Sequence, residues 1–574
     1  MYERNYKLLS SKFRELFFPT LFTSMTGNIS IFLDSLIVSN LLGATVLASI
    51  QPINPPITFV NMIYWMIGLG GSVLCAVSKA EFDYEKSNSI FSVSIKSLLI
   101  IGVLITLICL LFSSQIIAIL CPSDNKALFG QFFLAYIIGI PFLCYMMSMS
   151  YFVRADGFSN LPFKASLLCN IVNLCLDFIF ILVFDFGLAG AGLATAIGYM
   201  AGSLYVSTYF FSKERTLKFI RLKVKPYLNH VKNICKSGFS SASSQLYITI
   251  KLFVVNMLVV AFAGVAGLGA FNICFNSLII ISMFIIGAAQ TMSPMVSVYF
   301  KEEDYSGVNF VVKRAFKIVL ASSIILTLLF VIYPDILLML YRVKNPADIP
   351  IVVNAIRLFS LSYVGLSISS LYMYYTQAIE ENKISSTVSI LEGLIFPVAL
   401  AILLSAIMGI NGVWISFAVA EVFTVIFIYA YSKYKNKKTN GEYSGFFMNK
   451  NNKDNENIRE YAINGEIEEA VELSKNIGEH LSDAKSGTIV NLAIEEILVN
   501  IININDKVDF IDIIVKIDDD DSILISIKDP GIEFNPVIEN DELQFDNISV
   551  LNKIADKIEY ARVLGLNSTV IHIN

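Results

Sequence analysis

Long apolar runs, separated by short polar stretches, make up most of the first 434 residues. Each run is long enough to cross a hydrocarbon core of ~30 Å as a helix. They predict twelve membrane-spanning helices, at residues 15–40, 46–78, 89–119, 127–153, 160–184, 188–212, 237–263, 266–299, 308–334, 350–378, 384–407 and 410–433. The composition agrees, because 55% of the 574 residues are hydrophobic, only 16% are charged, and the mean hydropathy is +0.66. This part is therefore expected to be an all-α polytopic membrane protein.

Lys and Arg concentrate in every second loop between these runs. The loop after the sixth run is the most basic, with Lys213, Arg215, Lys218, Arg221, Lys223, Lys225, Lys232 and Lys236. Positively charged loops stay in the cytoplasm, so the pattern predicts a multi-pass protein of the cytoplasmic (inner) membrane with both termini in the cytoplasm. Contact with anionic membrane lipid also explains the basic loop, and no nucleic-acid partner is predicted.

The two halves of the apolar region repeat each other. Asp83-Tyr84 recurs 221 positions later as Asp304-Tyr305, and Gly187 recurs 222 positions later as Gly409. A repeat of six spans gives two copies of the same orientation, at 1–222 and 223–434. Two such six-helix lobes are related by an axis along the membrane normal with a cavity between them. That architecture suits alternating access, so it favours a transporter over a channel or a receptor.

A few polar residues lie inside the predicted spans of the first half. Asp34 stands in the apolar stretch ISIFLDSLIVSNLLG, where a carboxylate costs about 2.5–3.5 kcal/mol on insertion scales. Asn173 and Asp177 are four residues apart, so they share one face of the fifth helix. Such oxygens could hold Na⁺, and a desolvated carboxyl beside another could carry H⁺. The alternative is that the acids only join helices by hydrogen bonds.

The stretches FLDSLIVSNLLG, YFVRADGFSN and FGLAGAGLAT together resemble the multidrug and toxic compound extrusion (MATE) family over about residues 8–434. The resemblance implies a secondary transporter rather than an enzyme, with no cofactor required for transport. It implies export of small organic, often cationic, compounds driven by inward flow of H⁺ or Na⁺. The family's coupling cluster matches Asp34, Asn173, Asp177 and Thr195, with Asp34 and Asp177 as the Na⁺ ligands if Na⁺ is the ion.

The second half departs from the family pattern. Val255 stands at the repeat position of Asp34, so a cation site like that of some relatives is not expected there. Three charged residues within these spans stand out, Lys251, Glu392 and Glu421. They are candidates for the lining of a substrate cavity in the C-terminal lobe, where either acid could attract a cation. Packing or salt bridging is an equal alternative for each.

The chain changes character after the last apolar run. Residues 435–456 read as a polar linker, and residues 457–574 show helical and alternating patterns typical of a cytoplasmic α/β sandwich. AIEEILVNIIN and DPGIEFNP resemble the histidine-kinase-like (GHKL) ATPases, most closely the anti-sigma-factor kinases. The resemblance implies that Glu496 is a general base, Asn500 a Mg²⁺ ligand and Asp529 the adenine contact, with Gly531 allowing ATP to approach closely.

Phe545–Leu551 stands where those relatives have a glycine-rich lid, whose backbone N–H groups hold phosphate. A degenerate domain that binds nucleotide weakly, or that binds only a regulatory protein, is therefore an alternative to an ATPase. The predicted function is an ion-coupled exporter with a regulatory GHKL-like domain. The alternatives are a membrane-anchored GHKL-type signalling kinase and a lipid-linked oligosaccharide flippase of the same superfamily. The small number of basic residues in the spans disfavours the flippase, because a pyrophosphate ligand would require Arg or Lys in the cavity.

Overall fold

A computed structural model of the chain describes residues 2–42, 53–120, 126–221, 223–341, 343, 346, 348–450, 457–479, 484–505, 508–517, 522–536, 551 and 554–573. Within these ranges, the side chains of residues 31–42, 55, 224, 225, 265, 266 and 484–486 are not described.

The first part of the chain is a bundle of long helices. Its first half, called the N-terminal lobe below, contains α1 Lys7–Leu42, α2 Pro56–Ala80, α3 Tyr84–Leu111, α4 Lys126–Ile137, α5 Ile140–Ala155, α6 Asn160–Val183 and α7 Gly187–Phe211. The second half, the C-terminal lobe, contains α8 Pro226–Gly264, α9 Gly267–Lys301, α10 Tyr305–Ile332, α11 Ile349–Ala378, α12 Asn382–Met408 and α13 Ile410–Lys438. Two short helices, Ser113–Leu120 and Asp335–Leu340, lie between longer ones.

The helix count agrees with the predicted spans. Among the described residues, eleven helices are long and apolar enough to cross a membrane, or up to twelve if the bent pair α4 and α5 is one span. One of the eleven, Gly487–Ile504, instead packs on the C-terminal sheet. The other ten, the bent pair and α1 correspond to the twelve predicted spans. The 47° bend lies just before Pro141, which cannot continue the hydrogen bonding of α4.

The sequence repeat is visible in the local geometry. Asp83 caps α3 by accepting a hydrogen bond from the Lys86 N–H at 2.9 Å, and Asp304 caps α10 by accepting one from the Gly307 N–H at 2.8 Å. Gly187 and Gly409 both begin the next helix with a positive φ, 54° and 60°. Glycine adopts this conformation without steric cost, which explains why the repeat has glycine at both junctions.

The C-terminal region forms a separate α/β layer at one end of the bundle. Its five antiparallel strands follow the order β3-β4-β5-β7-β6. They are β3 Ile458–Ile463, β4 Ile511–Ile517, β5 Ile523–Asp529, β6 Lys557–Val563 and β7 Leu566–Ile573. The helices α14 Ile467–Glu479 and α15 Ala484–Ile504 cover one face of this sheet. We call this layer the sheet domain, and the end of the bundle that it contacts the domain end.

The predicted linker is more ordered than its polar composition suggests. α13 extends to Lys438, and a two-stranded hairpin, β1 Tyr443–Ser444 with β2 Asn449–Lys450, follows it. Phe447 of the hairpin packs against Tyr372 and Phe316 of the C-terminal lobe. The aromatic side chains thus attach this segment to the bundle, while residues 451–456 lie outside the described residues.

Candidate ion-coupling, substrate and nucleotide sites

Three of the four predicted coupling residues meet inside the N-terminal lobe. The Asn173 Nδ2 lies 3.5 Å from Asp177 Oδ2 and 3.4 Å from Thr195 Oγ1. Asp177 is 1% exposed and Asn173 is 5% exposed. Thr195 in turn donates its hydroxyl to the Ala191 carbonyl, 3.0 Å away. A carboxylate, an amide and a hydroxyl group therefore gather between α6 and α7, with the amide nitrogen of Asn173 facing the oxygens of the other two.

Two local features of the helices build this cluster. Gly198 lets α7 approach α6, because a Cβ at this position would lie 2.8 Å from the Cys169 carbonyl oxygen and 3.0 Å from the Asn173 Cβ. A π-helical turn, Ile179–Val183, begins two residues after Asp177. Such turns are frequent at functional sites, since they displace side chains from the regular helical positions.

The fourth predicted residue, Asp34, lies in α1 but its side chain is outside the described residues. Its membership of the cluster therefore stays a prediction. The described residues contain no group of three or more His, Cys, Asp or Glu side chains with the spacing of a metal site.

The C-terminal lobe holds the three charged residues that the sequence singled out. Glu421 of α13 is 6% exposed, and its Oε2 accepts a hydrogen bond from the Ser369 hydroxyl at 2.8 Å. Lys251 of α8 is also buried, with its Nζ 5.9 Å from the ring centre of Phe417. Glu392 lies in the π-helical turn Leu391–Ile395 of α12. Lys251 interacts electrostatically with both carboxylates, although no ion pair joins it to either within 4 Å among the described side chains.

The sheet domain places Asp529 and Gly531 in one hydrogen-bonded turn after β5. Asp529 Oδ1 accepts hydrogen bonds from the Gly531 N–H at 2.8 Å and from Asn567 Nδ2 at 2.9 Å. A Cβ at Gly531 would lie only 2.6 Å from Asn505 Nδ2. The space that glycine leaves here is thus taken by the side chain of Asn505, which also accepts a hydrogen bond from the Ile532 N–H.

Burial raises the pKa of Asp529 to about 6, although Asn567, the Gly531 N–H and the charge of Arg562 each lower it. The folded pKa therefore exceeds the value of about 3.9 for an exposed aspartate. Ionisation of Asp529 lowers the free energy of unfolding of the domain. The stability that the protonated carboxyl contributes is therefore complete below pH ~4 and is lost as the pH rises through about 6.

Glu496 and Asn500 lie on α15 and are half-buried. Neither lines the polar cavity of about 700 Å³ that opens between the sheet domain and the N-terminal lobe. Its walls include Asn505, Gly531 and Arg562 of the sheet domain and Lys12 and Lys164 of the bundle. The lid segment 545–551 lies outside the described residues except for Leu551. Sequence reasoning missed Asn505, Asn567 and Arg562, since no motif marks them.

The family relationship follows from the membrane part. A family model described as MatE matches residues 19–179 and 241–403, which together make up more than half of the chain. The chain belongs to the MatE family. It is therefore an integral membrane protein of a family of secondary transporters rather than of enzymes. The sheet domain lies beyond the residues that the family model matches.

Curated relatives of this MatE chain are named multidrug export protein MepA. The protein from Staphylococcus haemolyticus is 24% identical over 365 residues, which are 62% of this chain and 78% of that protein. The protein from Staphylococcus saprophyticus is 22% identical over 360 residues, again 62% of this chain and 78% of its own length.

Solved structures share the fold of the MatE part. A multidrug resistance MATE transporter in an outward-facing conformation superposes with a TM-score of 0.69 at 20% identity, covering 75% of this chain and 96% of its own. A transporter of the same superfamily from Pyrococcus furiosus, described as having a binding pocket of reversed polarity, superposes with a TM-score of 0.68 at 20% identity, covering 74% and 96%. These likenesses identify the bundle as a MATE fold.

Proposed function

We propose that the chain exports organic compounds of cationic or amphipathic character across the cytoplasmic membrane by antiport with H⁺ or Na⁺. The observation that carries this proposal is the buried cluster of Asn173, Asp177 and Thr195 in a bundle of MATE fold. Ionisable residues inside membrane bundles usually mark ion pathways. The name of the staphylococcal relatives, multidrug export protein, supports the substrate class.

Coupling follows from linkage between the ion and the lobe arrangement. An ion bound at the N-terminal cluster shifts the equilibrium between two access states only by its difference in affinity for them. Loading the Asp177 carboxylate with H⁺ or Na⁺ would neutralise it and change the packing between α6 and α7. Substrate that favours the opposite state would then be released on the far side.

We also propose that both termini and the sheet domain lie in the cytoplasm. The basic segment that follows α7 lies at the domain end, where the Lys218 N–H donates to Asn88 and Lys96 donates to the Ile220 carbonyl. Positive loops stay in the cytoplasm, so the domain end is assigned to that side.

The direct test is efflux from proteoliposomes under separate Na⁺ and H⁺ gradients. Export of an organic cation driven by one gradient and abolished by its collapse supports the proposal and selects the ion. Translocation of a lipid-linked oligosaccharide that needs neither gradient would contradict it and favour the flippase alternative.

Glu421 is proposed to attract cationic substrate together with Glu392, while Lys251 limits the net negative charge. We expect Glu421→Gln to raise the apparent KM for a cationic substrate by about tenfold, the equivalent of one lost charge interaction of about 1.4 kcal/mol. The KM for an uncharged substrate should not change. Transport assays with both substrates make this comparison.

The matched control is Ser369→Ala, which removes the hydroxyl hydrogen bond to Glu421 and keeps its charge. It should change the KM for the cation much less than Glu421→Gln does. Equal losses for charged and uncharged substrates would show that Glu421 only supports packing.

We further propose that the sheet domain binds an adenine nucleotide without hydrolysing it and thereby regulates transport. The polar cavity beside Gly531 is where we place this nucleotide, because Lys12, Lys164 and Arg562 border it, although the acids Glu15, Asp156 and Glu214 also line it. Glu496 and Asn500, which resemble a general base and a Mg²⁺ ligand, do not line this cavity. In this proposal, Glu496 and Asn500 therefore take no part in hydrolysis of the nucleotide.

The variant Asp529→Asn tests the role of this carboxyl, which does not itself line the cavity but accepts a hydrogen bond from the N–H of Gly531, which does. It keeps an acceptor for Gly531 and Asn567 but removes the buried charge, so the domain should gain about 3 kcal/mol above pH 6, from about two pKa units. The gain should disappear below pH 4. Thermal unfolding of the full chain across this pH range measures the gain in stability. In the same assay, ATP should raise the melting temperature of the parent chain but not that of the variant.

The control is Asp509→Asn, because Asp509 is an exposed acid of the same domain. It should show neither the pH-dependent gain nor a loss of the ATP effect. An ATP effect that persists in Asp529→Asn would contradict the nucleotide site. Transfer of phosphate from ATP to a partner protein would instead favour the signalling kinase.

A further inference from the structure

The sheet domain rests on the bundle through the face that its own helices do not cover. Ile513 and Ile525 point to α14 and α15, whereas the alternate residues Asp512 and Lys528 point to the bundle. Alternation along a strand places neighbouring side chains on opposite faces. The polar face of the sheet is therefore a docking face and not a solvent face.

Arg4 is the centre of the docking face. Its guanidinium is 1% exposed and pairs with Asp304 at 2.8 Å and with Asp512 at 2.9 Å. Glu460 of β3 lies 3.3 Å from the same group. One cation thus joins the N-terminal segment, the loop before α10 and two strands of the sheet domain. Burial alone would raise the pKa of Asp304, but the Arg4 guanidinium outweighs it and lowers the pKa to about 2.

More contacts tie the sheet domain to the C-terminal lobe. Glu302, at the end of α9, pairs with Lys528 of β5, and both side chains are buried. Ser306, in the first turn of α10, donates its hydroxyl to Glu460 of β3. The end of α9 and the first turn of α10 therefore contact the middle strand β5 and the edge strand β3.

The N-terminal lobe holds both edges of the sheet. The segment before α1 runs along the β3 edge, where the Arg4 N–H donates to the Glu460 carbonyl at 3.2 Å and the Ala462 N–H donates to the Tyr2 carbonyl at 2.9 Å. On the β6 edge, the Tyr84 hydroxyl accepts from the Arg562 N–H at 3.0 Å and donates to the Tyr560 carbonyl at 3.3 Å. Edges of sheets need such cover, because their backbone groups lack a neighbouring strand.

A third contact of the N-terminal lobe lies between α5 and α6. Gly157 has a φ of 100°, and a Cβ there would lie 2.6 Å from the Gly565 N of the turn between β6 and β7. Only glycine adopts this conformation and leaves room for the turn. The glycine of the RADG motif thus serves the docking of the sheet domain.

The lobes themselves touch at the domain end. Glu81, before α3, pairs with Lys301 of α9 at 2.6 Å, and Arg314 of α10 donates to Ser10 of α1. Tyr84 and Asp304 belong to the repeated Asp-Tyr pairs of the two lobes. The sheet domain therefore contacts equivalent segments of both lobes, on either side of the place where the lobes meet.

We propose that the sheet domain is a clamp that holds the two lobes together at the domain end and restrains their separation there. Access from that end requires the lobes to part, so at least one set of these contacts has to break in each transport cycle. The clamp goes beyond the proposed function, because it depends neither on the transported compound nor on the coupling ion.

Spin labels on the full chain test the clamp. A pair at Glu85 of α3 and Lys313 of α10, both exposed, reports the distance between the lobes. A second pair at Glu468 of α14 and Lys313 reports whether the sheet domain remains docked. Arg4→Ala leaves Asp304 and Asp512 without their common cation. We expect the ratio of long to short distances to rise about tenfold for both pairs in pulsed electron resonance measurements.

Tyr84→Phe is the second variant, because it removes one hydroxyl and keeps the aromatic ring. It should shift both distances in the same direction as Arg4→Ala, and it provides the test if Arg4→Ala fails to fold. Lys516→Ala is the control, since the Lys516–Glu303 pair belongs to the same interface but is exposed. It should leave both distances unchanged.

Two results would overturn the proposal. If the sheet domain leaves the bundle while the distance between the lobes stays short, the domain does not hold the lobes together. If both variants fold and neither releases the domain, the contacts of Arg4 and Tyr84 do not hold the clamp.

Discussion

The variant Asp177→Asn is expected to abolish gradient-driven efflux while the protein still folds and inserts. Asparagine keeps the size of the side chain and one oxygen near Asn173, but it neither binds a proton at neutral pH nor carries a charge for Na⁺. A lost charge-assisted contact is worth about 1.5–3 kcal/mol, which corresponds to a fall in ion affinity on the order of tenfold to a hundredfold. Efflux from proteoliposomes under an imposed ion gradient is the measurement.

Asp185→Asn is the matched control, because Asp185 lies just beyond α6 and is exposed. It should retain full efflux. Asp34→Asn should behave like Asp177→Asn if the predicted cluster includes Asp34. Retained gradient dependence in Asp177→Asn would remove the N-terminal cluster from the coupling mechanism.

The variant Asp156→Asn is expected to destabilise the protein strongly. Asp156 is buried, pairs with Lys79 at the end of α2 and accepts hydrogen bonds from Tyr209 and Thr216. Lys79 is itself 2% exposed. Removal of one partner of a buried ion pair costs about 3–5 kcal/mol, since the other charge is left without compensation. Thermal unfolding in detergent should show a large fall in the melting temperature.

The double variant Lys79→Met with Asp156→Asn should recover most of that loss, because no buried charge remains. Glu381→Gln is the control, since the Glu381–Lys435 pair is partly exposed and such pairs contribute about 0–1 kcal/mol. If the single and the double variant lose the same stability, the ion pair is not the cause.

Several elements of the fold follow from sequence patterns alone. Runs of apolar residues predicted the bundle helices, because a membrane requires about twenty apolar residues per helix. Period-two alternation predicted β4, β5 and β7, and helical periodicity predicted α14 and α15. The patterns did not predict β3, β6 or the hairpin after α13, since the hairpin strands have two residues each and the strands IREYAI and KIEYARV do not alternate strictly between apolar and polar residues.

The candidate sites show a similar division. The spacing of Asn173 and Asp177 put both on one face of a helix, and the family resemblance added Thr195, whose hydroxyl lies 3.4 Å from Asn173 Nδ2 in the structure. In the sheet domain the motif residues Asp529 and Gly531 are two positions apart in sequence, so their proximity was predictable. Asn567 and Arg562 reach the same point only because β6 and β7 pair beside β5.

Local periodicity and apolar length thus encode the membrane bundle, its repeat and most elements of the C-terminal region, so these could be predicted without a structure. The position of the C-terminal region on the bundle depends on contacts between residues that are far apart in the chain. Arg4 meets Asp304 and Asp512 across separations of 300 and 508 residues, and no local pattern links them. The alternation in β4 and β5 distinguishes an apolar face from a polar one, but a polar face looks the same in sequence whether it contacts water or a buried arginine.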